Sequence, residues 1–252
     1  MGRLDVNAIR YLSSEHFRVL IAIEMGMKNH EMVPLPLISS LSKIHRGGVN
    51  KILGELQKHN LIGYDSGRRY DGYRLTTRGY DYLALRALAA RDIVGSVGNQ
   101  IGVGKESDVF VGGDANQQDL CLKFHRLGRT SFRKIKEKRD YHKKRKFASW
   151  LYLSRIAAQK EFAFLKVWSS ELAPCQALSE SSFPVPRPID VSRHVVVMSL
   201  VNGRNLSHVD DLDDVPRLYY KLMSLIVKFA RHGLIHGDFN EFNLMLDVCF
   251  VF

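Results

Sequence analysis

The sequence predicts an α+β fold in two parts, and three observations carry that prediction. Residues 1–90 show helical apolar periodicity followed by two short strand-like runs. From residue 99 the pattern changes to a small-residue loop set among alternating segments. Near the C-terminus, His236-Gly237-Asp238-Phe239-Asn240-Glu241-Phe242-Asn243 follows an amphipathic stretch and gathers hydrogen-bonding side chains in one polar turn.

The bulk properties bound what such a chain can be. With 252 residues, 45% apolar and 25% charged, it is long enough for two modest domains that bury a core. The longest apolar run, Val195 to Val201, is broken by Ser199 and too short to span a bilayer, so no membrane role is expected. Met1 to Val6 carries neither a signal-peptide core nor a myristoylation signal. Cys121, Cys175 and Cys249 show no metal or disulfide spacing, which fits a reducing, intracellular compartment. The net charge is +11, and the segment Arg126–Lys146 alone holds eleven Lys/Arg against Glu137 and Asp140. A block this basic reads as a solvated segment that meets a polyanion.

Residues 1–90 read as a helical unit with a hairpin. Ser13 or Ser14 can cap a helix carrying Phe17, Leu20, Ile21 and Met25. Pro34 and Pro36 open a second helix through Leu41, and Gly47-Gly48 are expected to break the chain before a third with Val49, Ile52, Leu53 and Leu56. Residues 61–64 and 70–75 look like strands around a Ser66-Gly67-Arg68-Arg69 turn. A last helix, capped by Thr76 or Thr77, places Tyr80, Leu83, Ala84, Ala87 and Leu88 on one face. Helices followed by a β-wing make a winged helix. Its third helix would present Asn50, Lys51, Lys58 and His59, with Arg68 and Arg69 at the wing tip, to nucleic-acid phosphates. A protein-docking module remains the alternative, because fold does not fix function.

Residues 91–98 read as a short joint to a second domain over 99–252. Gly102-Val103-Gly104-Lys105-Glu106-Ser107 is not a Walker loop, since Asn99 stands in place of the first Gly and Glu106 in place of Ser/Thr. It fits the turn of a hairpin over nucleotide phosphates, where Gly104 permits close backbone approach and Lys105 and Ser107 reach the phosphates. Lys123 sits in an alternating strand after a Gly112-Gly113-Asp114 turn, at the distance expected of a phosphate-gripping lysine. A helix from about Phe147 to Trp168 should bury Trp150, Leu153, Ala157, Phe164 and Trp168, with Glu161 on the same face. A carboxylate there needs a partner, and Lys123 is the obvious one. Ser169–Ser182 reads as a loop, residues 183–188 as extended, Val195–Met198 as a buried strand, and Ser199–Gly203 as a hinge gripping adenine. A helix over 215–232, with Leu218, Leu222, Leu225, Ile226 and Phe229 inward, leads to His236. In the octet, Asp238 is placed to meet a substrate hydroxyl or water and Asn243 to hold Mg²⁺.

GVGKESDVF, LKFHRLGRTSF, KRDYHKKR, SWLYLSR, KEFAFL, FPVPRPID, NGRNL and GLIHGDFNEFNLML resemble the RIO atypical protein kinases, and the winged helix with the YLALRALAARDIVGSVGNQIGVGKES joint resembles their second subfamily. The resemblance implies a protein-kinase-like domain using ATP and Mg²⁺, and an activity of switch or ATPase type. Asp238 would be catalytic and Asn243 a metal ligand. Lys123 with Glu161 would position phosphates, Lys105 and Ser107 would contact the triphosphate, and Met198 to Leu200 would line the adenine pocket. Residues 126–146 match the family's flexible loop, whose Lys143, Lys144, Arg145 and Lys146 would meet RNA. The implied partner is the precursor of the small ribosomal subunit, its rRNA and its proteins. The implied location is the cytoplasm, with shuttling through the nucleus left open.

Three departures stand out. Ser199 replaces an acidic hinge residue, residues 169–182 look longer than the family connection, and nine residues follow Asn243. The family's second metal-binding aspartate, also its proposed phosphate acceptor, has no counterpart here. The expectation is an intact N-lobe, a C-lobe truncated in sequence, and little turnover. The other readings are an RNA or ribosome docking protein on a kinase scaffold and a small-molecule phosphotransferase; a cationic loop and winged helix argue against the latter.

Overall fold

The computed structural model describes residues 4, 6–66, 70–127, 149–169, 183–212 and 214–247. The chain divides into two compact units, Met1–Phe162 with Ile189–Val197, and Ala163–Pro188 with Met198–Phe252.

In the first unit, α1 (Ser14–Gly26) starts at Ser13, which forms a capping box with His16. The same His16 reaches Glu55 at 2.7 Å and so ties α1 to α3. A proline opens α2 (Leu35–Ser42), where a missing N–H costs nothing. Gly47 and Gly48 do not break the chain as expected. They lie in the first turn of α3 (Arg46–Lys58), with the His45 side chain accepting from the Gly47 N–H. First-turn amides have no intrahelical partner, and a Cβ at Gly48 would press on Ile44 at 3.1 Å, so small residues suit a tight entry. The wing pairs β1 (Ile62–Ser66) with β2 (Asp71–Leu75), Tyr64 opposite Tyr73. Val33 and Tyr73 exchange two backbone hydrogen bonds of 2.8 and 2.9 Å, anchoring the wing to the helices.

The last winged-helix element, α4 (Thr77–Ala89), departs from the one-faced pattern. Residues 79–85 are all buried, as is Leu88. Tyr80, Tyr82 and Leu83 belong to the core formed by α1–α3, whereas Ala84, Leu85 and Leu88 belong to a second core with Phe110, Leu122, Phe124, Val195 and Val197. A helix apolar all round is one packed on more than one side. That second core is one face of a five-stranded sheet in the order β3 (Ser96–Val103), β4 (Ser107–Gly113), β5 (Asp119–His125), β7 (Val195–Ser199), β6 (Pro188–Ser192). Residues 96–98, read as joint, are therefore the start of a strand.

The long helix α5 (Trp150–Trp168) buries a different stripe from the one expected. Leu153 is buried as expected, but the other buried residues are Leu151, Ser154, Ala158 and Leu165, while Phe164 is 55% exposed. Glu161 lies on this stripe, at i+3 from Ala158 and i−4 from Leu165. Bulky aromatics had suggested a face that small residues occupy, because Ser154 and Ala158 allow close approach to the neighbouring elements.

In the second unit, α6 (Val215–Arg231) is capped by Asp214, which accepts from the Arg217 N–H at 2.9 Å. Of the expected inward residues only Phe229 is buried, and Ile226 is 39% exposed. Periodicity marks which face of a helix is apolar, not how much of it is covered. A short ladder joins β8 (Gly203–Asn205) to β9 (Met245–Asp247). No helix among the described residues is long and apolar enough to cross a membrane.

One buried polar cluster belongs to the first unit. His194, in the β6–β7 turn, contacts Asp81 of α4 through Nε2 at 2.8 Å and stacks on Tyr80 with ring centroids 4.4 Å apart. Burial drives its pKa down to about 4, against the pull of Asp81 and with help from Arg126 and His125. An unfolded imidazole takes up its proton near pH 6.5, so the unfolded state binds more protons between the two values and stability falls as pH drops through that window. The loss should approach about 3 kcal/mol. Thermal denaturation from pH 7 to 4 should show it, and His194→Gln should flatten that slope; an unchanged slope would assign the acid sensitivity elsewhere.

Candidate active site

The site residues of the first unit cluster on β3–β5 and α5. The β3–β4 hairpin turns through Gly104, Lys105 and Glu106, and the Gly104 N–H donates to the Ser107 carbonyl at 2.7 Å. A Cβ on Gly104 would crowd that carbonyl at 3.3 Å, which explains a glycine here. Lys105 is exposed at the tip and Ser107 is half-buried at the base.

Across the ladder, β5 alternates. Leu120, Leu122 and Phe124 enter the core, and Cys121, Lys123 and His125 share the other face. That face is not simply solvated, because Glu161 of α5 meets it. Lys123 Nζ donates to Glu161 Oε1 at 2.8 Å, and His125 Nε2 lies 3.0 Å from Oε2 but is poorly aligned for a hydrogen bond. Burial opposes ionisation of Glu161, but the Lys123 charge and His125 outweigh it and bring the pKa down to about 2. The carboxylate therefore stays charged through the physiological range and fixes the lysine's direction. Burial pushes the Cys121 thiol up to about 11, so it behaves as a packing residue rather than a thiolate.

His125 escaped the sequence reading, although its place two residues beyond Lys123 on one strand put it on the same face. Arg126 was misplaced outright. It was counted with the solvated basic segment, yet its side chain is 6% exposed and bonded to Asp81 and Asp108. Two carboxylates from different elements hold it inside, and neither carries a local signal.

In the second unit, Met198 is buried and Leu200 half-buried. Ser199 exchanges two hydrogen bonds with the Arg187 backbone, its N–H donating to the carbonyl and its hydroxyl accepting from the N–H, each at 2.9 Å. The hydroxyl at this departure thus supports the hinge backbone.

The octet forms a compact turn. Gly237 sits at φ +74°, a conformation that favours glycine between His236 and Asp238. The Asp238 N–H donates to His236 Nδ1 at 3.3 Å, and its Oδ1 accepts from Asn240 Nδ2 at 3.0 Å. Asn243 Nδ2 donates to the Asp238 carbonyl at 2.9 Å and to Oδ2 at 3.0 Å. With the amide so oriented, Asn243 Oδ1 is directed away from these bonds as an oxygen suited to a hard cation. His236 is framed by Trp168 and Phe239, each with a centroid distance of 5.7 Å. Asn205 of β8 holds the turn by donating to the Phe242 carbonyl at 2.7 Å.

Of the residues expected to meet nucleic acid, Asn50 and Lys51 are exposed on α3. Arg68, Arg69, Lys143, Lys144, Arg145 and Lys146 lie outside the described residues.

A glycine hairpin, a strand lysine paired with a helix glutamate, and an Asp–Asn turn define a protein-kinase-like domain, here joined to a winged helix. Residues 108–249 match the family described as RIO domain, and residues 9–91 match that described as Rio2, N-terminal. The chain is similar to serine/threonine-protein kinase RIO2 of Caenorhabditis elegans, 66% identical over 98% of this chain and 45% of the relative. It is also similar to rio2 of Schizosaccharomyces pombe, 54% identical over 98% of this chain and 69% of the relative. Among solved structures, the Rio2 kinase–ADP/Mg²⁺–phosphoaspartate complex of Chaetomium thermophilum superposes with a TM-score of 0.81 at 50% identity, covering 97% of this chain and 69% of that one. The chain belongs to the Rio2 family of RIO-domain kinases. It spans 45% of the length of the Caenorhabditis elegans and Dictyostelium discoideum relatives.

Glu161→Gln should destabilise the protein by roughly 1–3 kcal/mol at pH 7, because Lys123 is left half-buried without its counter-charge. Adding Lys123→Met should restore part of that loss. Denaturant titration of both variants measures this, and strictly additive losses would show that the two side chains do not interact.

Proposed function

We propose that this chain is the Mg·ATP-handling part of a RIO-type serine/threonine protein kinase or ATPase. The observation that carries the reading is the Asp238–Asn243 turn, in which one asparagine orients the catalytic candidate and keeps an oxygen for a metal. Asp238 Oδ atoms, held by Asn240 and Asn243, are suited to orient an attacking hydroxyl or water. Lys123, aimed by Glu161, would grip phosphate oxygens, and Lys105 and Ser107 would close over the triphosphate. Met198 and Leu200 would meet adenine. Bound Mg²⁺ supplies charge neutralisation on the phosphates, so the protein's own part is positioning and electrostatics. The ADP and Mg²⁺ of the Chaetomium thermophilum complex support this choice of ligand.

Titration calorimetry should show Mg·ADP binding to this chain. Single-turnover release of phosphate from Mg·ATP is the readout of the chemical step. Asp238→Asn should keep nucleotide affinity within about threefold and lower that release roughly a hundredfold or more. Equal release by both proteins would remove Asp238 from its role.

The partner we propose is the precursor of the small ribosomal subunit, engaged in the cytoplasm by rRNA contacts from α3, the wing and the basic segment. The exposed Asn50 and Lys51 on α3 and the basic sequence of residues 127–146 support this reading. RNA affinity should fall steeply with salt and survive Asp238→Ala. Replacing Lys143, Lys144, Arg145 and Lys146 with Ala should lower it at least about tenfold and flatten the salt slope. Filter binding from low to physiological salt decides this, and an unchanged slope would count against the basic segment.

A further inference from the structure

Arg126 joins three parts of the first unit at one residue. Its backbone N–H donates to the Glu106 carbonyl at 2.6 Å, at the end of the glycine turn. Its Nε donates to Asp108 Oδ2 at 3.0 Å, two residues further on, so Ser107 is bracketed by groups that Arg126 holds. Its guanidinium grips Asp81 of α4 in two-pronged fashion, with Nη2 at 3.0 Å from Oδ2 and Nη1 on Oδ1. Next in the chain, the Leu127 N–H donates to Ser154 Oγ of α5 at 3.2 Å, seven residues before Glu161. Burial disfavours the charge on Arg126, yet Asp81 and Asp108 more than compensate and raise its pKa further. The groups facing the cluster are Asp81 from α4, Asp108 from β4, and His194 from the β6–β7 turn, whose Nε2 is 3.3 Å from Nη1.

All four side chains are buried, and a fold held by apolar cores on both faces of α4 does not require a buried ion cluster for its packing alone. A buried ion cluster is by itself weak evidence for stability, because desolvation offsets the attraction between its charges. We infer that Arg126 is a positioning residue for the glycine turn, and that through Asp81 the winged helix sets how well that turn grips nucleotide. Coupling of this kind is reciprocal, so nucleotide in the turn also tightens α4 against the sheet. The inference rests on the nucleotide reading of the hairpin given above.

The test uses the whole chain at a temperature where near-UV circular dichroism shows it folded. Mg·ADP affinity is measured by titration calorimetry for the wild type, Asp81→Asn, and Ile23→Val, a winged-helix core change that loosens packing without touching the cluster. Asp81→Asn should weaken Mg·ADP roughly five- to thirtyfold, the range of a typical coupling. Ile23→Val should leave it within about twofold. Equal affinities for wild type and Asp81→Asn, or equal weakening by both variants, would overturn the coupling while leaving the nucleotide site intact. Absence of Mg·ADP binding by the wild type would overturn both readings. Should Asp81→Asn fail to fold, hydrogen exchange on the wild type carries the test. Mg·ADP should slow exchange in residues 77–89 more than in residues 14–26, and equal protection of the two helices would refute the inference.

Discussion

The geometry around the glycine turn of the first unit depends on a buried positive charge. Arg126 stands between Asp81 and Asp108, all three side chains less than a tenth exposed. Taking such charges out of water costs several kcal/mol per ion, and only close, multiply bonded geometry repays it. That demand is met in one arrangement, with α4, the β4 strand and the end of β5 all in register. Removing either acid would leave a charge inside without its full complement. The cluster is thus a constraint on geometry before it is a source of stability.

Around it the apolar packing is shared rather than partitioned. α4 gives Tyr80, Tyr82 and Leu83 to the winged-helix core and Ala84, Leu85 and Leu88 to the core under the sheet. Two arginines add polar ties between the winged-helix part and the β6–β7 hairpin. Arg193 reaches Glu24 at 2.9 and 2.8 Å, and Arg91 lies 3.0 Å from Asp190. A winged helix attached by one strand-like joint could swing freely. This one is fused to the sheet by a common helix, so a ligand on either part meets a shared piece of structure.

The candidate catalytic groups follow a different logic. Glu161 pairs with Lys123 across long-range packing, whereas the Asp238 turn is built almost wholly from its own residues. Asn240, Asn243 and His236 each bond to Asp238 within five positions of sequence. A turn closed by local side chains leaves its pattern in the sequence, and this is why the octet could be read directly. The Lys123–Glu161 pair was legible for another reason: an isolated lysine in a strand and an acid on an apolar helix face each lacked a partner. His125 was passed over because Lys123 already met that need.

By itself, the sequence determined the helices and strands of the winged helix, the glycine hairpin and the Asp–Asn turn, because periodicity, caps and turn residues act over a few positions. It misjudged the faces of α4 and α5, where what covers a helix decides which residues are buried. It also assigned Arg126 to the basic segment beside it, since charge counting sees neighbours in sequence and not in space. Only the tertiary structure brought Asp81, Asp108 and His194 to that arginine, from positions between 18 and 68 residues away. Burial and pairing of charge are properties of the packed chain, and no short stretch of sequence contains them.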